Sequence, residues 1–86
     1  MDRRRRLLER LHRGHYDNVD FRDFCDLIRG LGWELHRIKG SHHMFRHPRV
    51  PNVFTVLPER GQAKRYQIRE LLKFIRDYDL NLRDEP

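Results

Sequence analysis

Between Trp33 and Leu57 the chain makes three short strand-like runs, and the connections between them are too short for a crossover. Trp33 to Ile38 alternates apolar and polar residues until its last position. Lys39-Gly40-Ser41 is a turn. His42 to His47 forms a second run, stopped by Pro48. Pro48 to Asn52 reads as a loop, and Val53 to Leu57, rich in β-branched residues, is a third run ended by Pro58. Parallel neighbours need a connecting segment of about a dozen residues or more. These three runs therefore predict an antiparallel meander.

Helical spacing surrounds the meander. Leu7, Leu8 and Leu11 put one apolar stripe on residues 3–12, behind a run of arginines from Arg3 to Arg6. Four cations at a helix N-terminus oppose the macrodipole, so the first turn is expected to fray. Gly14 to Asn18 reads as a loop. Residues 20–31 carry Phe21, Phe24, Cys25, Leu27, Ile28 and Leu31 at helical spacing, with Asp20 as cap and Gly32 as the left-handed terminator. Residues 64–79 present Ile68, Leu71, Leu72, Ile75 and Tyr78 on one face. The order is helix, helix, three strands, helix, in an α+β domain. A three-stranded antiparallel sheet with helices on one face and the order α-β-β-β-α is also that of double-stranded-RNA-binding domains. On this reading residues 18–80 form the domain. Residues 1–17 are a basic helix and loop that extend it, and residues 81–86 are a polar tail.

Eighty-six residues fit one domain with a modest core. Lys and Arg number 19 against 13 acids, giving a formal charge of +6. That balance points to a polyanion, which can be nucleic acid, an acidic protein or an anionic membrane surface; the first two are compatible and favoured over the third. The single cysteine, Cys25, excludes an internal disulfide and a cysteine-based zinc site. It sits at a core position of the second helix and suits a reducing cytoplasm. No apolar run has the length of a membrane span, and the basic amino terminus lacks the apolar stretch of a signal peptide. A cytoplasmic protein without a membrane partner is expected.

The chemistry concentrates in Arg37-Ile38-Lys39-Gly40-Ser41-His42-His43-Met44-Phe45. A tight turn with cations beside it can hold a phosphate, and a histidine can move a proton near neutral pH. Lys39 is a candidate for holding a phosphate or stabilising its charge. Gly40 permits positive φ or close approach of a backbone. Ser41 can donate to a phosphate or to its own turn. Alternation puts His42 and His43 on opposite sheet faces, which argues against a histidine pair. Arg37, Arg46, Lys64 and Arg65 are candidates for a basic track, and Tyr66 for a contact at the start of the last helix. Trp33 and Phe45 read as core residues, and His12, His15, His36 and His47 as surface residues. No acid or cysteine stands at a recognisable ligand spacing from the histidines, so neither a metal nor another cofactor is expected.

Residues 20–78 resemble the HicA (YcfA-like) toxins of bacterial and archaeal toxin–antitoxin pairs. The resemblance rests on Gly32-Trp33, the string from Arg37 to Phe45, Pro48, and Gly61-Gln62-Ala63-Lys64-Arg65-Tyr66-Gln67-Ile68-Arg69. It implies the double-stranded-RNA-binding-like fold, cleavage of mRNA by a small endoribonuclease, and inhibition by a tightly bound HicB-type antitoxin. The catalytic histidine of that family is the first of its Gly-Ser-His motif, which falls on His42. His43 is left as a supporting or alternative candidate, together with Lys39 and Ser41. Arg65 departs from relatives that carry proline in the Lys-x-Tyr-Gln string. Two other functions fit the same residues. One is a non-catalytic RNA-binding module of this fold. The other is an interaction protein whose role is to bind an acidic partner.

Overall fold

The computed structural model describes residues 2–83. Its elements are α1 (Arg3–His12), α2 (Phe21–Gly30), β1 (Glu34–Lys39), β2 (His42–His47), β3 (Val50–Val56) and α3 (Arg65–Tyr78). The sheet is antiparallel in the order β1-β2-β3, so the central strand is the one that follows the Gly-Ser turn. The fold is α+β in the order α-α-β-β-β-α, as the element spacing predicts. Residues 84–86 of the expected polar tail lie outside the described residues.

Local chemistry explains the boundaries. Asp20 caps α2 by accepting from the Asp23 N–H at 3.2 Å. At the other end Gly32 has φ 108°, its N–H donates to the Arg29 carbonyl, and the Trp33 N–H donates to the Ile28 carbonyl. This paired arrangement is a Schellman cap. Gly40 has φ 59° and Ser41 does not share a positive φ, the pattern of a type II′ two-residue hairpin.

β3 begins earlier than the alternation predicts. Residues 50–52 belong to the strand rather than to a loop, and the β2–β3 connection shrinks to Pro48-Arg49. Pro51 is tolerated because β3 is an edge strand, and the ladder is irregular there, between Phe45 and His47.

The core lies between the helices and one sheet face. Trp33, Phe24, Phe45, Phe54, Leu11, Leu27, Ile28, Ile68 and Leu71 are all buried. Trp33, Phe54 and Phe74 form an aromatic cluster with ring centroids 5.1–5.9 Å apart. The first turn of α1 is held rather than frayed. Asp2 accepts from the Arg4 N–H, and acids of α2 pair with the arginines: Asp26 with Arg4 at 2.9 Å and Asp23 with Arg3 at 3.4 Å. Opposite charge on the neighbouring helix offsets the unfavourable dipole term. Leu82 packs against the core, and the Arg83 N–H donates to the Gly30 carbonyl at 2.8 Å.

Candidate nucleic-acid interface

Directly opposed residues of an antiparallel pair share a face. Lys39 is opposite His42, Arg37 is opposite Met44, and Glu34 is opposite Arg46. These residues line the sheet face away from the core. His42, Lys39, Arg37 and Arg46 are exposed. The structure thus brings His42, Lys39 and Arg37 together beside the exposed Gly40-Ser41 turn. Arg46 lies on the same face but four residues along β2 from His42, about 13 Å at the rise of a strand, where Glu34 stands opposite it.

His43 takes the other face. Its ring meets Phe21 of α2 edge-on, with centroids 5.0 Å apart, and its Nδ1 lies 3.0 Å from the Ser41 carbonyl. A carbonyl only accepts, so this contact puts the proton on Nδ1. His43 thereby ties the turn to the helix layer while His42 remains open to solvent.

The first turn of α3 lies at the same end of the sheet. Val56 pairs with His43, and the next residue, Leu57, donates its N–H to Oε1 of buried Gln67 at 3.4 Å. The loop before α3 also pairs with the start of α2. Phe21 N–H donates to the Gly61 carbonyl, and Ala63 N–H donates to the Val19 carbonyl. Lys64 stands at the N-cap without a side-chain cap, its ammonium 5.9 Å from the ring centroid of Tyr66, which is 55% exposed. Arg65 is engaged instead by Asp17 in an ion pair, which ties α3 to the loop before α2.

Two residues carry roles that the sequence reading did not assign. His47, expected at the surface, is buried: Arg49 N–H donates to its Nδ1 at 3.0 Å, and its Nε2 lies 3.1 Å from the Leu31 carbonyl. Alternation carried the signal, since His47 stands two residues after core Phe45. Burial pushes its imidazole below the ordinary value of 6.5, with Arg83 and Arg49 adding to the effect against the Leu31 hydrogen bond. Gln67 is the buried link between α3 and the end of β3.

Among the described residues no group of three His, Cys, Asp or Glu side chains is placed to hold a metal ion. No helix among them is long and apolar enough to cross a membrane. Burial pushes the Cys25 thiol up to about 11, as expected of a core residue without a reactive role.

These features define a small α+β domain whose sheet keeps one basic face uncovered, with a histidine at the turn end of its central strand. The model of the HicA toxin of bacterial toxin–antitoxin systems matches residues 21–75, and the chain belongs to that family. Membership implies an antitoxin as partner. No curated protein and no solved structure matches the chain. The family match begins at the first residue of α2, so α1 lies outside it.

Proposed function

We propose that the chain is the toxin of a type II pair and acts as an endoribonuclease on mRNA, without a metal, through His42. The observation that carries this reading is the pairing of exposed His42 with Lys39 across the hairpin, on the uncovered basic face. The ribose 2′-OH is the nucleophile. His42 takes its proton as general base, or returns one to the leaving 5′-oxygen as general acid. Lys39 and the Gly40-Ser41 turn hold the phosphate on which charge develops. Arg37, Arg46, Lys64 and Tyr66 extend contact along the RNA, and Arg65 joins them where the RNA draws it from Asp17. His43 is a positioning residue, holding the turn through the Ser41 carbonyl. A HicB-type antitoxin that covers the uncovered face would inhibit by occlusion, and both partners would meet in the cytoplasm.

The test is cleavage of a long mRNA in EDTA by the wild-type protein and by a folded His42→Ala variant, with analysis of fragment ends. The variant is expected to lose about 100-fold or more of the rate, the scale of a general acid or base. Fragments are expected to carry 5′-hydroxyl ends, with the phosphate left on the 3′ side. Fragments with 5′-phosphate and free 3′-hydroxyl ends would rule out the 2′-OH route. Equal RNA binding without cleavage by either protein would favour the non-catalytic module.

A further inference from the structure

The two edges of the sheet differ. β3 is blunted by Pro51, which has no N–H to offer, and residues 51–53 stand where β2 has only Arg46. β1 contains no proline. After the irregularity at His36, its last three residues pair regularly, Arg37 with Met44, Ile38 with His43 and Lys39 with His42. Along such a strand alternate residues turn their backbone groups toward and away from the partner. The outer side of β1 has no strand beside it among the described residues. In the middle of this stretch Ile38 is 53% exposed, between two exposed cations.

We propose that the edge of β1 at Arg37–Lys39 receives an extended segment of the antitoxin as a fourth strand. The proposal rests on the reading that this chain works with an antitoxin. Opposed residues share a face, so the incoming strand presents an acid to Arg37, an apolar side chain to Ile38 and an acid to Lys39. A second copy of β1 is a poor occupant. An antiparallel pair centred on Ile38 would set Arg37 of each copy against Lys39 of the other, and like charges directly opposite destabilise a ladder. The position also gives the docking a consequence. Lys39 is the residue across from His42, so pairing its side chain with an acid removes a cation from the proposed phosphate site.

Hydrogen exchange and titration of the full chain with its purified antitoxin test this. Lys39 and His42 close the hairpin, so Ile38 turns its backbone groups outward, and within 37–39 its amide is the one expected to exchange more slowly in the complex. Ile38→Glu is expected to weaken antitoxin binding by about tenfold or more, and Ile38→Val to restore it. Ile38 is solvent-exposed, and thermal melts of each variant verify the fold. Unchanged exchange at Ile38 in a formed complex would overturn the edge assignment, as would equal affinity of Ile38→Glu and wild type. A free protein that is dimeric until Ile38 is replaced would identify a second copy as the occupant and overturn the proposal. No binding by the wild type would instead remove the antitoxin reading on which it stands.

Discussion

His47 shows how one side chain can hold three segments. Because the Arg49 N–H donates to Nδ1, the remaining proton sits on Nε2 and is donated to the Leu31 carbonyl. Only the neutral ring can make both bonds. Its pKa is lowered in the folded state, so between the folded and unfolded values the unfolded chain binds more protons. Stability from this group is therefore complete above the ordinary value of 6.5 and is lost as pH falls from there through the lowered folded value. Urea unfolding midpoints at pH 7.5 and pH 5.5 should differ in wild type, and the difference should shrink in His47→Gln. Gly32 belongs to the same junction. A Cβ there would stand 2.7 Å from His47 Nε2, at a φ that side chains rarely adopt. Gly32→Ala should cost about 1–3 kcal/mol in the same assay. Cys25 supplies an independent reading of the fold. With its buried thiol pushed up to about 11, it should resist alkylation at pH 8 until denaturant opens the core.

At the level of elements, α1 is more than an appendage. Leu11 is fully buried, and the arginines of the first turn find Asp23 and Asp26 on α2. Leu11→Ala should destabilise by about 2–5 kcal/mol, the range for truncating a buried leucine, measured by urea unfolding. The sequence made some elements legible and hid others for identifiable reasons. β2 was bounded by Gly40-Ser41 and Pro48, signals that act on the backbone whatever surrounds them. The start of β3 was obscured because Pro51 reads as a breaker unless the strand is known to lie at an edge. The first turn of α1 looked frayed because the acids that neutralise it are about 20 residues away on another helix. Its stabilisation is tertiary, and no local pattern reports it. At the candidate site the alternation separating His42 from His43 was legible from the pleat alone. The Phe21 contact and the Gln67 link were not, since each joins segments distant in sequence.

For the whole molecule, the charge of +6 is divided between surfaces that use it differently. Arg3, Arg4 and Arg65 pair with intramolecular acids, whereas Arg37, Lys39 and Lys64 are available at the turn end of the sheet. RNA binding by the His42→Ala protein, used so that any cleavage through His42 is removed, should weaken steeply with salt. Lys39→Ala should reduce the slope of log affinity against log salt by about 0.7, the value for one phosphate contact on a single strand. Filter binding at several salt concentrations would measure it, and an unchanged slope would remove Lys39 from the interface.

The meeting of Arg4 and Leu82 at Gly30 has a practical corollary. An added Cβ at Gly30 would lie 2.7 Å from the Arg4 Cδ and 3.0 Å from the Leu82 Cδ2, so the early and late parts of the described chain converge on one glycine. That glycine ends α2, while Phe21 at its other end touches His43, and a helix of this length separates them by about 15 Å. Attaching the protein to a surface at described positions beside that glycine, through Arg4 or Leu82, should therefore leave the hairpin at the far end of α2 open to solvent.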